Sequence, residues 1–236
     1  MKKITEKIWN LIYPGRCVLC DAVLAGKEKD VCRLCGPKLQ IITQPYCMKC
    51  GKALNKQEDE YCNDCLLHPH VYEQGRSLLV YDGIIKKSLY RFKYAGRKEY
   101  AKAYSHLAEQ YLGDYINEIQ PDALIPVPLH KKRYQKRGYN QSEVFARELG
   151  AGMGIPVVSK MVERVKNTLP QKELDRSDRQ NNLKKAFKIN RNDVKLNTII
   201  IIDDIYTTGS TIDALAATLK EAGVQKIYFL TISGGR

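Results

Sequence analysis

Four consecutive isoleucines, Ile199 to Ile202, run into two adjacent carboxylates, Asp203 and Asp204, and after Ile205 and Tyr206 comes Thr207-Thr208-Gly209-Ser210-Thr211. Open α/β sheets bind ligands beyond the carboxyl ends of their strands, so a buried strand ending in acids can present them to a ligand. The backbone N–H groups and hydroxyls of the threonine run, with the positive end of the helix that follows, make a phosphate cradle that Gly209 lets a ligand approach closely. Acids beside a phosphate repel it unless the ligand also carries a diol, because carboxylates accept hydrogen bonds from hydroxyls and can hold Mg²⁺. A ribose 5-phosphate unit has both groups. The pattern assigns Asp203 and Asp204 to the 2- and 3-hydroxyls, and Thr207, Thr208, Gly209, Ser210 and Thr211 to the 5-phosphate. The plainer alternative is a strand end and a helix start with no ligand.

A second constellation is made of cysteine. All eight lie in the first 65 residues, as Cys17/Cys20, Cys32/Cys35, Cys47/Cys50 and Cys62/Cys65, and the second half repeats the first at an offset of 30, with Leu24 on Leu54 and Glu28 on Glu58. Each unit reads C-x2-C-x11-C-x2-C, which supplies the four thiolates of a tetrahedral structural zinc. Disulfides or free buried thiols are the alternatives, but disulfides need an oxidising compartment and no export signal is visible. The duplication predicts two zincs with sequential ligands, 17/20/32/35 and 47/50/62/65, and cross-braced pairing as the minority arrangement. Four sulfurs close each site, so both metals build structure. His68 and His70 lie near enough to replace a ligand, yet beside Pro69 they read as surface histidines without a special role.

Around these motifs the 236 residues are those of a globular chain, 44% hydrophobic and 28% charged, with no apolar run long enough to span a bilayer. A cytoplasmic protein is expected. Of the net charge of +13, more than half sits in residues 131–185, where 14 Lys and Arg face 6 Asp and Glu. Such a segment suits a polyanion or a ligand's phosphates, or forms a solvated basic face. Residues 1–73 form a zinc unit. From residue 74 the pattern alternates, with strands over 77–81, 123–128, 155–159, 186–189, 198–202 and 224–232. Helices are expected over 83–94, 99–119, 141–150 and 210–222, a charged loop at 129–140, and irregular chain over 164–185. Tyr104, Leu107, Ala108, Tyr111, Leu112, Tyr115, Ile116 and Ile119 stripe the second helix. Asn140 and Glu143 suggest a capping box at the third. Repeated strand, crossover, strand implies a largely parallel sheet flanked by helices.

The residues from 199 to 211 resemble the phosphoribosyl pyrophosphate signature of type I phosphoribosyltransferases, with Tyr206 where an aliphatic residue is commoner. The whole chain resembles the ComF family of competence proteins. The residues that carry this are Arg91-Phe92-Lys93-Tyr94-x-Gly96, Pro126-Val127-Pro128-Leu129, Arg137-Gly138-Tyr139-Asn140-Gln141-Ser142, and Gln171-x-x-Leu174 with Arg179, Asn182, Ala186 and Phe187. The resemblance implies an α/β fold: a type I phosphoribosyltransferase-like parallel sheet over 74–236, preceded by a small double zinc-ribbon domain over 1–73. It implies that Lys131, Lys132, Arg133 and Arg137 meet the pyrophosphate, that Arg164, Lys166, Lys172, Arg176 and Arg179 lie on a mobile loop, and that Mg²⁺ accompanies the ligand. Departure of pyrophosphate needs cations rather than a protein nucleophile, and none is apparent. The biology implied is uptake of transforming DNA, with single-stranded DNA and a competence helicase as partners. Two other functions compete: an active phosphoribosyltransferase acting on a nucleobase-like acceptor, and a nucleic-acid module whose sugar-phosphate site grips a strand end. Aromatics between charges at Tyr90–Tyr94 and Arg133-Tyr134 would stack on bases in either DNA-binding case, or pack as ordinary surface.

Overall fold

The computed structural model describes residues 14–165, 186–190 and 195–235. The two cysteine units are copies in three dimensions as well as in sequence. Cys17 N–H donates to the Ala22 carbonyl and Cys47 N–H to that of Lys52, both at 2.8 Å, and the bridges Arg16 to Val23 and Tyr46 to Ala53 repeat the offset. The cysteines group sequentially, each set of four sulfurs lying within 4.8 Å of one another.

The remainder is a four-stranded sheet in the order β1 (Gln74–Val80), β6 (Lys226–Gly234), β5 (Thr198–Tyr206), β2 (Ala123–Pro126), all parallel. Along β5, Ile200 and Ile202 enter one apolar core and Ile199 and Ile201 the other. A strand covered on both faces has no polar side to alternate with, which explains the isoleucine run. Burial of each isoleucine contributes about 1.5–3 kcal/mol. The first core packs α2 (Gly83–Tyr94), α3 (Tyr100–Ile119) and α5 (Gln141–Met153) together with the first cysteine unit. The second packs α6 (Ser210–Glu221), a small antiparallel pair β3 (Val162–Arg164) and β4 (Phe187–Ile189), and the second cysteine unit. The two zinc units therefore seal opposite faces of one sheet. Along α3 the expected stripe is buried at Tyr104, Leu107, Ala108, Leu112 and Ile116, while Tyr111 is 45% exposed and lies off it.

Both edges of the sheet are covered, as exposed ladders invite pairing with other chains. The link between the zinc units lies antiparallel to β1, with Ile42 N–H donating to Leu78 (2.9 Å) and Val80 N–H to Gln40 (2.9 Å). At the other edge, residues 155–159 are expected as a strand but make only the bridge Leu124 to Val157, because Pro156 has no N–H to donate. Two further expectations change. Residues 131–137 form a helix, α4 (Lys131–Arg137), not a loop: Lys, Arg and Gln favour helix, and Gly138 ends it with φ of 79°. Arg164, expected to begin the irregular chain, instead ends a strand that pairs antiparallel with β4, outside the parallel sheet. α1 (Asn63–Leu67) is a single turn carrying Cys65. Among the described residues no helix is long and apolar enough to cross a membrane.

Candidate functional site

A cavity of about 350 Å³ opens beyond the carboxyl end of β2, where β5 runs on past the expected end at Ile202 and carries both aspartates within the strand. Asp203, Asp204, Thr207 and Thr211 line it together with Arg133, Arg137, Arg164, Lys93, Gln141 and Ser142. The acidic pair and the threonine loop thus share one space with three guanidinium groups contributed by α4 and β3.

Of the six residues Arg137 to Ser142, Arg137, Gln141 and Ser142 line the cavity and the other three hold them in place. Arg137 donates to Gln141 Oε1 (2.8 Å) and to the Tyr94 hydroxyl (2.9 Å), which fixes its guanidinium over the mouth. Gly138 takes the left-handed turn that ends α4, and the Tyr139 hydroxyl donates to the Phe92 carbonyl of α2. Asn140 caps α5 by accepting the Ser142 N–H (3.2 Å) and donates to the Val127 carbonyl at the end of β2 (3.0 Å). Ser142 donates from its hydroxyl to Asp203 Oδ1 (2.9 Å). The expected capping box is half made, because Glu143 turns away to pair with Arg147 at 2.7 Å.

Desolvation, then the neighbouring Asp204 charge, pushes the Asp203 carboxyl up to about 7. Asp204 is ion-paired with Lys93 of α2. Burial lowers Arg164 to about 10, helped by the Arg133 charge, and desolvation lowers Arg133, helped by Arg137. Cations held this close in a desolvated cavity are relieved by an anion between them. Beside them, Gly209 is the N-cap of α6 with φ of 77°, a residue with no side chain to cap the helix. The Thr208 and Ser210 hydroxyls hydrogen-bond each other at 2.9 Å.

The expected site residues are therefore largely brought together, with exceptions. Lys131 and Lys132 are exposed on α4 and do not line the cavity, and of the threonine loop only Thr207 and Thr211 line it, Thr208, Gly209 and Ser210 lying off its surface. Lys166, Lys172, Arg176 and Arg179 lie outside the described residues. Lys93, Gln141 and Ser142 stand in the sequence only as marks of a family resemblance, and their signal is a motif without an assigned partner. His70, expected at the surface, has a side chain only 2% exposed and contacts Asp213.

The cysteine sulfurs fit zinc. A tetrahedral ion with Zn–S of ~2.3 Å sets its sulfurs ~3.8 Å apart, and Cys20 to Cys32 and Cys50 to Cys62 are each separated by 3.7 Å. These are two closed four-cysteine sites of the structural kind.

Residues 8–66 match the double zinc ribbon domain and residues 96–235 the phosphoribosyl transferase domain. Competence protein F of Haemophilus influenzae is 38% identical over 109 residues, 45% of this chain and 48% of that protein. DNA utilization protein YhgH of Salmonella typhimurium is 29% identical over 92% of this chain and 96% of its own length. Competence protein ComFC of Bacillus subtilis is 28% identical over 88% and 89%. Among solved structures, a purine phosphoribosyltransferase from Pyrococcus horikoshii matches with a TM-score of 0.33 and 17% identity, covering 56% of this chain and 82% of that one. With a phosphoribosyl transferase domain over most of its length and a double zinc ribbon ahead of it, the chain belongs to the ComF family of competence proteins.

Proposed function

We propose that the cavity binds phosphoribosyl pyrophosphate with Mg²⁺ and that the chain acts in DNA uptake. The observation that carries this is the union, in one cavity, of a paired carboxylate, the threonines on either side of a helix-starting glycine and three arginines. Asp203 and Asp204 take the ribose hydroxyls. Residues 207–211 take the 5-phosphate, and Arg133, Arg137 and Arg164 the pyrophosphate. Hard carboxylate oxygens beside phosphates also suit Mg²⁺, which would neutralise charge on the pyrophosphate.

The competence and DNA utilization names of the relatives support a role in handling DNA, and we place that role in the cytoplasm with single-stranded DNA or a helicase as partner. Exposed Tyr90, Tyr94 and Tyr134 stand among the cations of α2 and α4 near the cavity mouth, a composition that suits stacked bases and phosphates. The zinc unit over 1–73 and the domain over 74–236 then act together, one shaping the site in the other.

Calorimetric titration with phosphoribosyl pyrophosphate and Mg²⁺ tests the ligand. Binding by the wild type and its loss in the double variant Asp203→Asn, Asp204→Asn are expected, and unchanged binding in that variant sinks the assignment. Pyrophosphate release measured across a nucleobase panel then separates a binding protein from an active transferase.

A further inference from the structure

We infer that His70 is a positioning residue for the threonine loop, so that the zinc-bearing end of the chain sets the affinity of the cavity for a ribose 5-phosphate group. The inference rests on the ligand proposed above. Three consecutive residues carry it, His70, Val71 and Tyr72, which follow the last cysteine of the second zinc unit. Together they hold both flanks of the loop. At its start, the Tyr72 hydroxyl meets the hydroxyl of Tyr206, the last residue of β5, at 2.8 Å. Beyond its end, Asp213 in the first turn of α6 receives His70 Nδ1 at 2.7 Å and the Val71 N–H at 3.0 Å.

Between those flanks the loop lies directly on the clamp. A Cβ placed on Gly209 would come within 2.6 Å of the Tyr206 hydroxyl and 3.1 Å of His70 Cε1, so glycine is required there for contact as well as for φ. His70 stacks on Tyr72 with centroids 4.9 Å apart, and Tyr206 stacks on Phe229 at 4.8 Å. The His70 ring is all but fully buried, yet Nε2, bonded to the Cε1 that packs on Gly209, has no hydrogen-bond partner among the described residues. An unsatisfied buried nitrogen is costly, and the element packed beside it is the loop.

The clamp is fastened to the second zinc unit. Lys49 donates from Nζ to the Tyr72 carbonyl at 2.5 Å, Gln74 from Nε2 to the Met48 carbonyl at 2.7 Å, and Gly75 from N–H to the Lys49 carbonyl at 2.9 Å. Met48 and Lys49 are the two residues between Cys47 and Cys50, so the metal site fixes the residues that fix the clamp. A contact that only joined two domains would change stability and leave ligand choice alone. A contact that positions the loop changes affinity for ligands bearing the 5-phosphate and spares those without it.

The full chain is tested by calorimetry with two probes, ribose 5-phosphate and magnesium pyrophosphate, in the wild type, His70→Ala and His70→Asn, with zinc content measured throughout. His70→Ala is expected to weaken ribose 5-phosphate tenfold or more, leave magnesium pyrophosphate within twofold, and retain two zincs. His70→Asn, whose amide can donate to Asp213 from the Nδ1 position, should return ribose 5-phosphate to within threefold. Unchanged ribose 5-phosphate affinity in His70→Ala, equal weakening of both probes, or no rescue by asparagine overturns the inference. Should His70→Ala not fold, His70→Gln takes its place with the same expectations. Wild-type protein that binds neither probe overturns the proposed ligand and the inference with it, whereas a wild type that binds beside an unresponsive variant overturns the inference alone.

Discussion

The ammonium of Lys93 is ion-paired with the carboxylate of Asp204 inside the cavity, with both side chains more than four-fifths buried. Its charge also opposes the desolvation and the Asp204 repulsion that drive Asp203 towards protonation. Replacement of this cation by Lys93→Met leaves two carboxylates facing each other with less to keep Asp203 ionised. Since ribose hydroxyls and Mg²⁺ are held by ionised carboxylates, binding of phosphoribosyl pyrophosphate should follow the ionisation of Asp203. The pH midpoint of binding is expected to rise by about 1 unit in the variant. Calorimetry between pH 6 and 9 reads the shift, and an unmoved midpoint refutes it.

Stability should carry the same signature with the opposite benefit. The Asp203 carboxyl is raised from 3.8 to about 7 on folding. Between those values the folded chain keeps a proton that the unfolded chain has released, so Asp203 makes folding less favourable as pH rises through this window. Asp203→Asn removes the penalty. The variant should melt close to the wild type near pH 3.5, where Asp203 is largely protonated in the folded and unfolded chain alike, and several degrees above it at pH 8. A stability difference that is equal at both pH values contradicts the assignment. Gained stability alongside lost binding is the usual exchange at a strained functional site.

What could be read from the sequence depended on how far apart the partners lie along the chain. The cysteine frame and the run from Ile199 to Thr211 carry their chemistry in adjacent residues, and both were legible. The Arg137–Ser142 motif was visible as a mark of kinship, but the bond from Ser142 to Asp203 closes only when α5 packs against β5. His70 is the extreme case: its partner Asp213 lies 143 residues away, and neighbouring Pro69 and the cysteines suggested a surface turn or a spare metal ligand. The helix Lys131–Arg137 was hidden because a dense run of like charge reads as loop, although each of its residue types tolerates a helix.

The two zinc sites should fail independently. Cys17, Cys32 and Cys35 belong to the core under α2 and α3, and Cys47 and Cys50 to the core under α6. Cys20→Ser and Cys62→Ser each alter one tetrahedron, so metal analysis of purified protein should fall from two zincs per chain to one in either variant. Cys62→Ser, on the side of the clamp, should also weaken ribose 5-phosphate binding, and Cys20→Ser should leave it within about threefold. Loss of both metals in a single variant would show that the sites fold as one unit.

Ser142→Ala isolates the support that α5 gives to the acidic pair. Alanine is a better helix former than serine, and the Ser142 N–H that Asn140 accepts is a backbone group, so α5 keeps its start. Only the hydroxyl bond to Asp203 is removed. Hydrogen bonds to a charged partner contribute ~1.5–3 kcal/mol, and this one stabilises the ionised carboxyl, opposing its elevated pKa. Affinity for phosphoribosyl pyrophosphate at pH 7 should therefore fall about tenfold. At pH 8.5 Asp203 ionises without that help, so most of the affinity should return. A loss of the same size at both pH values would mean that the serine hydroxyl acts on the ligand itself and does not hold Asp203 ionised.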